Sequence, residues 1–320
     1  MQHKILNKIL KKLDDPDLLT RLVHQLSFSE LQSLLMVVYE EKRKSIRASD
    51  ILEQYKSDPF LFPSGIDQRT QVEFDSIINS VLPKEYLSIE LSPVSPLGCC
   101  SQTAGLSQNK VVSTIRKNEV CSDPTNMLAL EASLRRKESK DIIRLAASCR
   151  ALRTERIISK DSAAHFKIFS LCTAGRDTGS YNFEKEMLKE LLLLYMKIFR
   201  ELYNQGYNYS GIRIIVKCKN QMILDAFDRS SFENSLSASN TDIEFEVDKE
   251  ENWNYYGCIR FQIFIFDSEA EYLIVDGGDT DWTQKILNNK KERYFISGLG
   301  SERFMMLFKP QLKEDTNGHV

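Results

Sequence analysis

The sequence predicts an α+β protein in which an antiparallel sheet is flanked by helices and preceded by a small helical module. Three observations carry that prediction. Residues 1–56 repeat apolar side chains at three- and four-residue spacing, as amphipathic helices do. Residues 57–68 hold two prolines and a glycine and read as a linker. From residue 69 onward, short runs with strand patterning follow one another through hairpins or long crossings, with the helical runs grouped together.

In the first module, Leu19, Leu22 and Val23 and then Leu31, Leu34, Leu35 and Val38 mark helical faces. Ser27 and Glu30 have the spacing of a capping box ahead of the second run. The basic cluster Lys42, Arg43, Lys44 and Arg47 reads as a solvated helix face. After the linker, the core spans 69–312 and a tail spans 313–320. The stretch QRTQVEFDSIINSVL sets Phe74, Ile77, Ile78, Val81 and Leu82 on one helical face. YLSIELSPV then alternates as a strand does and stops at proline. Further strands are predicted at 165–174, 212–218, 243–247, 258–266 and 272–276. A long helix lies between the first two of these and ends near Gly206, a C-cap candidate. The closing SGLGSERFMMLF reads as a glycine-bearing turn running into a helix.

Composition sets the bounds. The 320 residues are 42% hydrophobic and 28% charged, as in ordinary globular chains. A formal net charge of -2 argues against a protein built mainly to coat nucleic acid. The seven cysteines are scattered without CxxC pairing, which fits reduced thiols and no zinc site. MQHKILNKILKKLDD is too charged for a signal peptide, and the apolar run LLLLYM is too short to span a bilayer. The expectation is a cytoplasmic chain with no membrane segment.

Three segments, in order, resemble the signature motifs of class II aminoacyl-tRNA synthetases. The helix–strand–proline unit at 69–96 resembles motif 1. Arg153-Thr154-Glu155, followed by a polar loop and His165-Phe166, resembles motif 2. Gly298-Leu299-Gly300-Ser301-Glu302-Arg303 resembles motif 3. Asn254-Tyr255-Tyr256 and Asp276-Gly277-Gly278-Asp279-Thr280-Asp281 resemble two stretches of the histidyl-tRNA synthetases, and Ser122-Asp123-Pro124-Thr125 a third, which holds the substrate amino group. The likeness covers roughly 69–310.

The resemblance implies ATP with Mg2+ and a homodimer built through motif 1. In it, Arg153 grips the α-phosphate and Arg303 reaches the outer phosphates or adenine. Phe166 stacks on adenine, Glu155 orients the nucleotide, and Gly298 and Gly300 let backbone approach the ligand. Arginine suits such a site because its fork contacts phosphate bidentately and stays charged. Substrate contacts fall to Asp123, Thr125, Glu251, Tyr255, Tyr256, Asp279 and Asp281, and His165 reads as structural.

Two departures reverse the local field: Glu251 and Asp279 stand where the histidyl family carries arginines. They imply a substrate other than histidine, held in a pocket onto which Asp123, Glu251, Asp279 and Asp281 all face. Only about seventeen residues follow motif 3, so no anticodon-binding domain is expected there and tRNA charging is not. Three readings stay open. The leading one is an adenylate-forming paralog acting on an amino acid or small carboxylic acid. The second is a non-catalytic regulatory or scaffolding subunit like that of ATP phosphoribosyltransferase, and the third a nucleic-acid-binding accessory. Residues 1–56 fall outside the resemblance and are a candidate partner-binding module.

Overall fold

The computed structural model describes residues 2–154, 164–236, 241–248, 253 and 255–308. Four helices open the chain: α1 (Gln2–Lys12), α2 (Leu18–His24), α3 (Phe28–Arg43) and α4 (Ala48–Ser57). The Ser27 hydroxyl accepts from the Glu30 amide at 3.3 Å while the Glu30 carboxylate accepts from the Ser27 amide at 2.7 Å, which closes the capping box. No described side chain of these four helices is buried. The basic cluster is largely spent in local pairs, Arg43 with Glu40 at 2.8 Å, Lys44 with Glu41 at 2.7 Å and Arg47 with Asp50 at 2.9 Å. Pairs this exposed contribute little.

Residues 58–67 do not hang free. The Phe62 carbonyl lies 2.6 Å from His165 Nε2, and the Ser64 hydroxyl bonds the buried Glu302. There follow α5 (Gln68–Val81), β1 (Tyr86–Ser88), β2 (Val94–Pro96), α6 (Cys99–Ala104), β3 (Asn118–Val120), α7 (Pro124–Glu138) and β4 (Ile143–Leu152). The chain continues through β5 (His165–Arg176), α8 (Asn182–Asn204), β6 (Gly211–Cys218), α9 (Gln221–Asp225), α10 (Arg229–Leu236) and β7 (Thr241–Val247). It closes with β8 (Tyr256–Phe266), β9 (Glu271–Thr280), α11 (Trp282–Leu287), β10 (Glu292–Leu299) and α12 (Ser301–Leu307).

Among the described residues, eight strands form one sheet in the order β1-β4-β5-β10-β9-β8-β6-β7. The inner six pair antiparallel, but β1 joins β4 and β7 joins β6 in parallel, so the sheet is mixed rather than wholly antiparallel. The predicted strand YLSIELSPV also divides. Tyr86–Ser88 pairs with β4, and after Pro93 the chain leaves the sheet to form β2, which pairs with β3. Proline has no amide hydrogen to continue a ladder.

The two faces carry different helices. One is covered by α5, α8 and α12, where Phe74, Phe199 and Phe304 meet Phe169, Phe261 and Phe295 of the strands. The other is covered partly by α7 and α11, where Leu128, Trp282 and Tyr294 are fully buried. Each such side chain contributes about 1.5–3 kcal/mol by leaving water. The α8 helix stops where Gly206 takes a φ of 94°, accessible to glycine without Cβ strain. Among the described residues, no helix is long and apolar enough to cross a membrane.

Candidate functional site

The pleat decides which side chains share the second face. Successive residues of a strand point to opposite sides, and Gly298 of β10 sits in register between Ser170 of β5 and Asp276 of β9. Ala147 of β4 and Gln262 of β8 extend that row. The floor is therefore low in its centre: alanine, serine, glycine. A methyl on Gly298 would come within 2.7 Å of the Ile168 Cδ1. The Ser170 hydroxyl is buried and has no hydrogen-bond partner among the described residues.

Arg153 emerges just beyond β4, at the edge of this floor. Its Nε donates to the Ser122 carbonyl at 3.0 Å, its Nη2 lies 3.7 Å from Asp123 Oδ2, and its guanidinium sits 5.2 Å from the Phe166 ring centroid. The side chain is 43% exposed, so these contacts orient the charge without sealing it off. Asp123 is the N-cap of α7 and accepts from the Thr125 amide at 2.9 Å and its hydroxyl at 2.6 Å. A carboxylate at a helix N-terminus is favoured by the exposed amides there. The Tyr294 hydroxyl donates to the Thr125 carbonyl at 2.9 Å and ties α7 to β10.

Opposite lie Tyr255 and Tyr256, with ring centroids 4.6 Å apart. Burial pushes both phenols up, and for Tyr255 the nearby charges of Asp123 and Asp276 add to it. Arg260 forms a two-pronged pair with Asp276 at 3.1 and 3.2 Å while lying 5.4 Å from the Tyr256 ring. Burial raises the Asp276 carboxyl, and Arg260 pulls it back. Sequence reasoning missed both members of this pair. Strand alternation could have found them, since Asp276 lies on the same side of the sheet as Gly298, and Arg260 pairs in register with Gly278 on that side.

Not all the expected residues converge. Arg153, Phe166, Asp123 and Thr125 form one group, and the charges of Asp123 and Arg153 reach Tyr255, which lies against Tyr256. Asp279 lies on the other face, in register with Phe295 of the α8-side core. There its Oδ1 accepts the amides of Cys258 and Ile259, at 2.8 and 2.6 Å, where β8 carries extra residues relative to β9. This is a bulge clip, and it overturns the placement of Asp279 in the pocket. Asp281 is exposed at the start of α11 and paired with Lys285 at 2.9 Å. Arg303 is exposed on the first turn of α12 and makes no hydrogen bond or ion pair with a described residue, and Gly300 turns the chain into that helix. His165 is pinned between Arg150 at 2.9 Å and the Phe62 carbonyl, a structural position. Glu155 and Glu251 lie outside the described residues.

The fit to a nucleotide can be judged from these side chains. An aromatic face, a half-exposed arginine beside it and a glycine in the floor are parts that a planar base and a phosphate need. Among the described residues no acidic or histidine cluster could itself hold a metal.

Searches of family models and of curated proteins find no match. Solved structures do match. A histidyl-tRNA synthetase from Nostoc sp. PCC 7120 superposes with a TM-score of 0.58 at 12% identity, covering 78% of this chain and 74% of that one. An ATP phosphoribosyltransferase regulatory subunit/histidyl-tRNA synthetase from Bacillus halodurans gives 0.57 at 10% identity, covering 78% and 83%. The apo histidyl-tRNA synthetase of S. aureus gives 0.51 at 11% identity and covers 74% of this chain, which spans only 63% of that protein. At such identities the likeness is one of architecture, and the architecture of this chain is that of a class II aminoacyl-tRNA synthetase catalytic core.

Proposed function

We propose that the protein is an ATP-dependent, adenylate-forming enzyme that activates an amino acid or a small carboxylic acid. The observation that carries this reading is Arg153 laid over Phe166 and anchored to the Ser122 carbonyl beside the α7 N-terminus. Such activation asks little covalent chemistry of the protein. Two anions must be held together while charge builds on phosphate. ATP supplies the activated phosphate. Arg153 neutralises and orients it, Phe166 receives the base, and Arg303 meets the outer phosphates. Asp123, with Oδ1 held by Thr125 and Oδ2 3.7 Å from Arg153, would share its charge with a substrate amino group. Asp123 at the α7 N-terminus favours a substrate that carries an amino group, which need not be histidine.

Seven free cysteines support a reducing compartment, the cytoplasm. In this reading the chain pairs as a homodimer through residues 69–96, and residues 1–56 contact a partner protein. A second reading, a regulatory subunit without catalysis, is favoured by one observation. The position expected to carry a catalytic arginine holds Asp279, which is committed to a bulge.

The test is ATP–pyrophosphate exchange with pooled amino acids. Exchange that falls at least ~100-fold in both Arg153→Ala and Arg303→Ala, by loss of about 3 kcal/mol of transition-state stabilisation, is the expected result. No exchange together with no ATP binding by calorimetry decides for the regulatory reading.

A further inference from the structure

All seven cysteines are free, yet two of them meet. The sulfurs of Cys121 and Cys149 lie 3.7 Å apart in a small apolar pocket with Met127 and Leu91, separate from the two main cores. Cys121 is 1% exposed and Cys149 9%. The pair stands at a particular place in the chain. Cys121 opens the segment whose next two residues, Ser122 and Asp123, hold Arg153. Cys149 lies on β4, four residues before Arg153. The two segments already touch through the backbone, the Leu152 amide donating to the Cys121 carbonyl at 2.8 Å. A bond between these sulfurs would tie together the two pieces of chain that orient Arg153.

We propose that Cys121 and Cys149 form a reversible dithiol–disulfide site, oxidised by a peroxide, that governs ligand binding at Arg153. The two thiols differ in readiness. The contact with Cys121 and the charge of Lys167 lower the Cys149 thiol against the opposing effect of burial, whereas the contact with Cys149 and burial raise the Cys121 thiol. The thiolate is the nucleophile. Cys149 attacks the O–O bond of hydrogen peroxide, takes one oxygen as a sulfenic acid and releases hydroxide. Cys121 then attacks the sulfenic sulfur; an S–S bond forms, the S–O bond breaks, and water leaves with the thiol proton. Overall, two thiols and one peroxide give one disulfide and two waters, the sulfurs losing two electrons to the peroxide oxygens. Closing to a bonded distance of about 2.05 Å draws the segment at 121–123 toward β4. That movement shifts the Ser122 carbonyl and Asp123, and so disturbs the guanidinium they align. The effect on ligand rests on the proposed nucleotide site; the cross-link does not.

The experiment treats the full chain with equimolar hydrogen peroxide, alkylates the remaining thiols with N-ethylmaleimide and maps tryptic peptides. The expected result is five alkylated cysteines and a linked pair of peptides spanning 118–135 and 145–150, each holding one cysteine, restored to seven by dithiothreitol. Cys121→Ser should instead leave Cys149 as a sulfenic acid that dimedone traps. Seven alkylated cysteines, a link through Cys99 or Cys100, or overoxidised Cys149 with no link in the parent chain overturns the proposal. In the second arm, ATP binding by calorimetry should weaken at least five-fold in the oxidised protein and recover on reduction. Equal binding by both forms overturns the control of Arg153. No binding by either form, with the link present, overturns the nucleotide site and leaves the disulfide standing.

Discussion

At the scale of single residues, Asp279 is the most instructive. As a reversal of an expected arginine it looked like a statement about substrate, but its carboxylate holds two backbone amides of β8 on the face away from the floor. Replacing it with arginine should therefore cost stability, about 3 kcal/mol, because two buried amides lose their acceptor. Urea unfolding measures this, and a variant as stable as the parent would refute the clip. Asp279→Asn keeps the Oδ1 acceptor and behaves differently. Burial lifts the Asp279 carboxyl above its ordinary range, with the Cys258 and Ile259 amides opposing. A raised carboxyl favours folding while protonated, and that contribution is lost as pH rises through the folded value. The asparagine variant should thus gain on the parent between pH 4 and pH 7, read as a widening difference in unfolding free energy. A difference independent of pH contradicts the buried charge.

Among the elements, β10 and its neighbours decide whether the floor is open. Gly298→Ala places a methyl against Ile168, and overpacking of this kind costs about 1–3 kcal/mol. Ile168→Val should restore most of the loss, since the clash is with the far end of a side chain; a double variant no better than the single one would place the strain in the backbone. The same strand shows what the sequence hides. The strands β6, β7 and β8 were legible from their alternation, and α8 from its length and its terminal glycine. Among the segments left unassigned were β4 and β10, two inner strands. Most of β10 is buried on both faces, so it lacks the polar alternation of a half-exposed strand. The segment IRLAASCRAL of β4 has small residues where helices cross it, and alanine points away from strand. The site divided along similar lines. Arg153, Phe166 and Asp123, named from motif order, lie together in the structure, but Asp276 and Asp279 differ only in strand parity, and a two-residue bulge is invisible in a linear pattern.

For the whole molecule, stability is uneven. Among the described residues, seventeen of the 24 exposed large hydrophobic side chains fall within the first 62 positions, whereas α8 buries ten hydrophobic side chains of its own. Amides of α1 to α4 should exchange with deuterium through local opening, at least ~100-fold faster than those of α8. Equal protection would mean the module is already covered in solution, as a stable self-association would do. The order of strands carries one more consequence, for synthesis. In the finished sheet β5 lies between β4 and β10, but β10 is translated more than a hundred residues after β5. At 5–20 residues per second the ribosome needs roughly 6–25 s to deliver it. For that interval β4 and β5 can pair only with each other and with β1, and the edge awaiting β10 stays open beside Phe169 and Leu171. The nascent chain is thus at greatest risk of wrong pairing at the future centre of its sheet, and a holding chaperone would be needed there rather than at the finished rim.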